Sequence, residues 1–404
     1  MERINVILST INVILILIGY QLLTVLLGES LGDEGESQAI TIPFRAFCLL
    51  ISFIVIFFNN KRTNPSNKHI RVLVIFWGFL LLRFALDMFI IYPGILSSAK
   101  QIQLWLYMIG LTLIPMYSIW KSFEVIDLDL LFVFLFIVSS FISIFLYFTV
   151  DEFRIANADR LSLAGLNSIS IGYCGLMSIV LGLYNAIIRR PKFIFKIFSL
   201  MMVGVGALVL LRAGSRGPLL SLVLTFVLFL ITRSKHAVRN LAVMFIVMLL
   251  GYMLFDYFME LIEQISPVLH RRLTREEGQL DDRLPLYDAA WNGFLNNPLL
   301  GDSFAIYHDR TYSYAHNIFL DSIMQLGIIG LGFISTIYIA GIKMVIEFLK
   351  SNTSLVWIGF LLIKSMMELI VSGSIYSNPE FSVLFVFSAL LYMNKKTNFN
   401  VIRK

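Results

Sequence analysis

Some polar segments of this chain contain many arginines and almost no lysine. An arginine side chain in such a segment could bind an anion. Lys100 is the single lysine of these segments, which contain Arg45, Arg154, Arg160, Arg212, Arg216, Arg271, Arg272, Arg275, Arg283 and Arg310. A guanidinium group can form two parallel hydrogen bonds to a phosphate or carboxylate, which an ammonium group cannot. The pattern therefore predicts recognition of phosphate or carboxylate groups. Pairing with the acids Glu276, Glu277, Asp281 and Asp282 explains any single arginine equally well but the whole set less well.

His316 is the candidate for proton transfer, or for a further phosphate contact. It stands with Asn317 at the start of an apolar run that predicts a helix, and it follows a polar, aromatic segment that contains Arg310 and Tyr314. The dipole at a helix N-terminus disfavours the charged imidazolium, so we expect a lowered pKa and a neutral ring. A histidine at such a position is also a common interfacial residue, and that alternative stays open.

Arg216 lies in a short turn between two apolar runs, after Ser215 and before Gly217-Pro218. Glycine lets a backbone approach a ligand closely, and proline suits the first turn of the following helix. A simple hairpin would need the glycine and the proline but not the arginine. We therefore expect Arg216 to bind a ligand.

Arg283 precedes a run with helical spacing, Leu284 to Leu295. Its apolar face contains Leu286, Ala289, Ala290 and Phe294. The following Asn297-Pro298-Leu299-Leu300-Gly301 segment predicts a helix stop and a turn. The spacing predicts a surface helix that lies on the rest of the protein and carries Arg283 at its start.

The elements that must position these residues are membrane-spanning helices. Hydrophobic residues make up 58% of the 404-residue chain, charged residues only 14%, and the mean hydropathy is +0.82. The apolar runs are continuous and about 20 residues long, which suits helices that cross a bilayer and not barrel strands. We expect an all-α, polytopic protein with twelve spans at 4–27, 40–58, 70–91, 101–119, 130–149, 166–187, 194–212, 217–232, 240–259, 316–342, 355–372 and 380–393.

Charge predicts how these spans are oriented. Alternate short connections are basic, and by the positive-inside rule they lie in the cytoplasm together with both termini. The basic residues of these connections include Lys61, Arg62, Lys68, Arg71, Arg189, Arg190, Lys192, Lys196, Arg233, Lys235, Arg239, Lys343 and Lys350. The chain then divides into spans 1–9 over residues 1–259, a large extracytoplasmic loop over 260–315, and spans 10–12 with a tail over 316–404. The net charge of +6 follows from this orientation and does not indicate a nucleic-acid partner.

Two predicted spans contain opposite charges at i,i+4 spacing, Arg83 with Asp87 and Lys364 with Glu368. Such pairs share one helix face and are costly in a bilayer. A structural ion pair is the preferred interpretation, and a water-filled cavity is the alternative. Asp321, near the predicted outer end of its span, is expected to be within reach of water. We expect Cys48 and Cys174 to be core residues without a disulfide.

Four motifs, in order along the chain, are similar to those of the O-antigen polymerase and O-antigen ligase superfamily of bacterial polysaccharide assembly. Ser215-Arg216-Gly217 resembles its SRG turn, and Arg160 to Asn167 resembles its outer Arg/Asn loop. Asn297 to Gly301 resembles its NPLxG segment, and His316-Asn317 with Gly327 resembles its H-x10-G signature. One feature departs from the ligases. Their R-x-x-x-L pattern has leucine four residues after the arginine, whereas Tyr287 stands at that distance from Arg283.

The resemblance implies a transferase that faces the periplasm or exterior from the bacterial cytoplasmic membrane. Its donor would be a polyprenyl-pyrophosphate-linked oligosaccharide, without a cofactor or metal, and with a chain-length regulator and a flippase as partners. The catalytic candidates are His316, Arg216 and Arg283, and the substrate-binding candidates are Arg160, Arg154, Arg212, Ser215, Asn317, Arg310 and Tyr314. A polymerase is favoured over a ligase. A flippase or other transporter is the rival class, but no internal repeat and no pair of broken helices supports it.

Overall fold

The computed structural model describes residues 2–27, 34–62, 67–149, 166–189, 191–233, 259–260, 262–264, 270, 274, 283–351 and 355–402. Its elements are α1 Glu2–Leu27, α2 Glu34–Phe58, α3 Lys68–Ile91, α4 Ser98–Val125, α5 Leu128–Thr149, α6 Ser168–Arg189, α7 Phe193–Arg212, α8 Arg216–Arg233, α9 Leu284–Asn296, β1 Ile306–His308, β2 Thr311–Ser313, α10 Ile318–Lys350, α11 Leu355–Val371 and α12 Pro379–Ile402.

The prediction of an all-α, polytopic membrane protein is confirmed. Among the described residues, eight helices are long and apolar enough to cross a bilayer, namely α1, α3 to α8 and α10. Helices α2 and α12 contain shorter apolar stretches, Ile42–Phe58 and Pro379–Asn394, and α11 has 17 residues. The ninth predicted span, 240–259, lies outside the described residues apart from Met259. The number of twelve spans therefore stays a prediction.

Helices α6 and α7 are held in backbone contact by facing glycines. A Cβ atom on Gly175 would lie 2.6 Å from the carbonyl oxygen of Gly206, and one on Gly206 would lie 2.7 Å from that of Gly175. Small residues allow such an approach in membrane helices, where packing and not water drives association. The contact fixes the end of α7 and therefore the turn that leads to Arg216.

The C-terminal ends of α7 and α11 and the N-terminal ends of α8 and α10 lie at one end of the bundle. α8 runs antiparallel to α11, because the rings of Phe229 and Phe360 lie 5.3 Å apart while Gly217 lies against Val371. α10 begins beside the end of α11, where His316 contacts the carbonyl oxygen of Ser372. We call this end, with Arg212, Arg216, His316 and Ser372, the site end.

The predicted surface helix is confirmed as α9, with Arg283 as its first flanking residue. Ala290 is fully buried, and the other predicted face residues are half-buried. The following hairpin of β1 and β2 was not predicted. Its two-residue turn, Asp309-Arg310, has left-handed φ angles of 44° and 60°, a conformation that usually selects asparagine and glycine.

Candidate active site

The segments that carry three of the predicted basic residues come together at the C-terminal end of α11. A guanidinium nitrogen of Arg283 donates a hydrogen bond to the carbonyl oxygen of Val371. His316 Nδ1 lies 3.0 Å from the carbonyl oxygen of the next residue, Ser372. The residue after Arg216, Gly217, packs so closely on Val371 that a Cβ atom there would lie 3.0 Å from Cγ1. The starts of α8, α9 and α10 therefore meet at Val371, the last residue of α11, and at Ser372, which follows it.

The side chain of Arg216 is exposed and makes no hydrogen bond or ion pair with any other residue that the structure describes. Arg283 is half-buried and uses one N–H group on Val371. Because a guanidinium group has five N–H donors, Arg283 retains donors for a ligand. Both arginines can thus present hydrogen-bond donors and positive charge to an anion at the site end.

The hydrogen bond to Ser372 determines which nitrogen of His316 can accept a proton. A carbonyl oxygen only accepts hydrogen bonds, so Nδ1 carries the proton and Nε2 of the neutral ring has a free lone pair. Burial lowers the pKa of His316, and the positive charge of Arg283 lowers it further, against the opposing effect of the Ser372 bond. A lowered pKa agrees with the sequence expectation, but burial is its largest cause. The ring is therefore suited to act as a base.

The backbone around His316 is held by two neighbours. Asn317 caps α10, because its side-chain oxygen accepts from the N–H groups of Phe319 and Leu320 at 3.0 and 3.2 Å. Asp321 accepts from the N–H of Ala315 at 2.8 Å. These bonds hold His316 at a left-handed φ of 55°. The expectation that water reaches Asp321 is wrong, since the residue is fully buried.

Two of the motifs form one backbone-to-backbone contact, which we call the clasp: residues 297–302 against residues 324–328. The N–H of Ile328 donates to the carbonyl of Pro298, and that of Asp302 to the carbonyl of Met324, both at 2.8 Å. Gly327 interrupts α10 with φ 61° and ψ −147°, and a Cβ atom there would lie 2.6 Å from the oxygen of Leu299. The clasp joins the end of α9 to α10, and so joins the helix of Arg283 to that of His316.

The ion pair of Arg83 and Asp87 holds the loop beyond the clasp. The two side chains lie 2.9 Å apart at the predicted i,i+4 spacing. Asp87 also accepts from the N–H of Phe304 at 2.6 Å and from the hydroxyl of Tyr307 at 2.8 Å, while Arg83 donates to the carbonyl of Gly301. This supports the structural interpretation of the pair, which fastens the loop to α3.

The remaining substrate-binding candidates are spread over the site end. Arg212 donates to the carbonyl of Tyr147 at 3.0 Å, and Ser215 is buried in the turn before α8. Arg310 is exposed at the tip of the hairpin, and the ring of Tyr314 lies 4.3 Å from that of His316. Arg154 and Arg160 lie outside the described residues. The substrate contacts of all these residues stay predictions.

The sequence did not predict the buried carboxylate of Glu380. Lys364 lies 3.5 Å from Glu368, as the i,i+4 spacing predicts, but its closer partner is Glu380, whose two oxygens lie 2.9 and 2.7 Å away. Glu380 belongs to the first turn of α12, and its position in the sequence gives no sign of a partner in α11. Within the described ranges, no group of three or more His, Cys, Asp or Glu side chains is arranged to hold a metal ion.

Residues 201–335 match a protein-family model described as O-antigen ligase. The matched segment contains Arg216, Arg283, His316 and both halves of the clasp. No curated protein sequence matches the chain. Over this segment, the family match confirms the resemblance to the O-antigen polymerase and O-antigen ligase superfamily that the motifs indicate.

Proposed function

We propose that this chain is a polysaccharide polymerase of the bacterial cytoplasmic membrane. It transfers an oligosaccharide repeat from polyprenyl pyrophosphate to a growing lipid-linked chain on the outer face. The observation that carries the proposal is that Arg283, His316 and the residue after Arg216 all contact the end of α11 or the residue that follows it. The family match over residues 201–335 supports the general reaction class.

The outward orientation determines the kind of donor. The predicted cytoplasmic connections meet where α2 and α4 end and α3 begins, since Lys121 donates to the carbonyl of Arg62. Asp87, near the other end of α3, binds Phe304 in the loop that leads to His316. The positive-inside rule then directs the site end outward. Cytoplasmic nucleotide sugars do not reach that face, so the donor must carry its own leaving group. A lipid diphosphate meets this requirement.

The reaction forms one bond and breaks one bond at the anomeric carbon. The acceptor hydroxyl oxygen attacks that carbon, its proton passes to Nε2 of His316, and the bond to the diphosphate oxygen breaks with its electron pair. Negative charge therefore grows on the diphosphate, where Arg216 and Arg283 supply positive charge and N–H donors. Donors directed at developing charge contribute about 10²–10³-fold each in comparable sites. The outer arginines Arg154, Arg160, Arg212 and Arg310 add to this field, and Ser215, Asn317 and Tyr314 border it.

An apolar groove between α6, α8 and α11 is suited to the prenyl tail. Its lining includes Val180, Leu183, Phe226, Phe229 and Phe360. Phe226 lies ten residues after Arg216 on α8, which corresponds to about 15 Å along the helix axis. A lipid whose diphosphate is bound by Arg216 would reach this groove with its hydrocarbon chain.

A ligase that passes the chain to a different acceptor is the second candidate, because the matching family model is described as O-antigen ligase. The departure at Tyr287 from the ligase pattern favours the polymerase. Transport is disfavoured, because the buried cations Arg83 and Lys364 are engaged in ion pairs with Asp87 and Glu380.

Substitutions of Arg216 and His316 test the proposal in cells. Arg216→Lys keeps the charge but removes the fork of N–H donors, so we expect short surface polymer or none. His316→Ala and Arg216→Ala are expected to abolish the polymer. Arg233→Lys is the matched control, because it makes the same exchange at the other end of α8. Surface polymer of unchanged length in all three site variants would contradict the proposed enzyme.

A further inference from the structure

A small polar cleft lies at the site end between α1, α6 and α11. Its polar lining consists of Gln21, Ser170, Tyr173, Lys364 and Glu368. The cleft adjoins the three basic residues described above. The backbone N–H of Ser372, whose carbonyl holds His316, bonds to the carbonyl of Glu368 one helical turn earlier. Tyr173 lies on the other side, with its hydroxyl 3.9 Å from the Cβ position of Gly217.

The ammonium group of Lys364 is shared unequally between two carboxylates. Lys364 forms its two short hydrogen bonds with Glu380, and Glu368 stands 3.5 Å from the same ammonium group. Oxygen Oε2 of Glu368 is buried, and its ion-pair contact with Lys364 at 3.5 Å is long; no described residue donates a hydrogen bond to it. An ionised carboxylate only accepts hydrogen bonds, and leaving such an acceptor unsatisfied is costly. The cleft thus presents a carboxylate oxygen to which a ligand can donate a hydrogen bond.

The lining selects the chemical class of that ligand. An anion such as the donor diphosphate is repelled by the excess carboxylate, and a hydrocarbon tail would leave the polar groups without partners. A neutral group with hydroxyl donors satisfies Glu368 and the Gln21 amide together. The cleft is small and admits a hydroxyl or hydroxymethyl group. A sugar of the acceptor chain has this chemistry.

We infer that this cleft is the acceptor subsite, in which Oε2 of Glu368 accepts a hydrogen bond from a sugar hydroxyl of the acceptor glycan. This inference rests on the proposed transferase function. The donor diphosphate then lies with Arg216 and Arg283, and the acceptor lies at Glu368, one helical turn before Ser372, the residue that holds His316. Charge keeps the two substrates apart, because the carboxylate excludes the diphosphate from the acceptor side.

Steady-state kinetics with purified protein test this assignment. The donor is held at saturation while an acceptor repeat, attached to its lipid through a non-cleavable bond, is varied. In Glu368→Gln we expect the KM for this acceptor to rise about tenfold or more, as for loss of a hydrogen bond to a charged group. The KM for the donor is expected to stay at the wild-type value. Glu347→Gln, on α10, is the matched control.

The outcomes separate the subsite from the proposed function. If wild-type protein releases polyprenyl pyrophosphate but Glu368→Gln keeps the wild-type acceptor KM, the subsite is overturned and the transferase stands. A donor KM that rises together with the acceptor KM also overturns it. If Glu368→Gln does not fold, Gln21→Ala decides, because it leaves the ion pairs intact. A raised acceptor KM in Gln21→Ala supports the subsite, and an unchanged one overturns it.

Discussion

Replacing Gly327 by alanine tests whether the clasp holds the active site together. Gly327 has φ 61° and ψ −147°, a region that only glycine adopts readily. A Cβ atom there would lie 2.5 Å from the carbonyl carbon of Leu299 and 2.6 Å from its oxygen. Backbone strain costs about 1–3 kcal/mol and overpacking a further 1–3 kcal/mol or so. The clasped state is therefore disfavoured by about 2–6 kcal/mol, which is at least about 30-fold in its population.

The assay is transfer from lipid-linked repeats by purified protein, together with the melting temperature in detergent. We expect Gly327→Ala to lose at least about tenfold in transfer rate and to melt at a lower temperature, because Arg283 and His316 are no longer held together. Gly332→Ala is the matched control, since it lies five residues further along α10 and its Cβ atom would meet no atom within 4 Å. Wild-type rate and melting temperature in Gly327→Ala would refute the reasoning.

Three other predictions follow from buried charges and from His316. Because its pKa lies below the usual 6.5, the His316 ring stays neutral as pH falls to that value, so the acid limb of the rate profile should lie below pH 6.5. In Arg283→Gln the limb should move to higher pH, since a positive charge is removed; a limb that stays in place contradicts the assignment. Asp87→Ala should lower the free energy of unfolding by about 3–5 kcal/mol, because it strands a buried guanidinium group; denaturant titration measures this, and a loss near zero contradicts it. Lys364→Met should destabilise more than Glu380→Gln in the same titration, because it leaves two carboxylates without their shared cation, and the reverse order would contradict the arrangement.

The sequence predicts the helices well because each is a long apolar run, and membrane helices satisfy their backbone hydrogen bonds within the run itself. The limits of α7 and α8 differ from the predicted spans by one residue at most. The turn before Arg216 and the surface helix after Arg283 carry strong local signals in their glycine, proline and spacing. These features depend on neighbouring residues alone.

The sequence did not predict the contacts between distant segments. The segment with Pro298 and the glycine at 327 were recognised as two separate motifs, and only the structure shows that they touch. Glu380 pairs with Lys364 across two helices, and Asp321 turns toward the backbone of Ala315 and not toward water. Likewise, the carbonyl of Ser372, 56 residues after His316, determines which ring nitrogen of His316 can accept a proton.

The most direct test of the central claim uses purified protein and one substrate, the polyprenyl-pyrophosphate-linked repeat, without ATP or added divalent metal. A polymerase with this site should release polyprenyl pyrophosphate and form a ladder of longer lipid-linked chains from that substrate alone. Arg216→Lys should do both far more slowly, whereas Arg233→Lys should match the wild type. If the wild-type protein releases no polyprenyl pyrophosphate, or if Arg216→Lys releases it at the wild-type rate, the diphosphate is not bound as proposed.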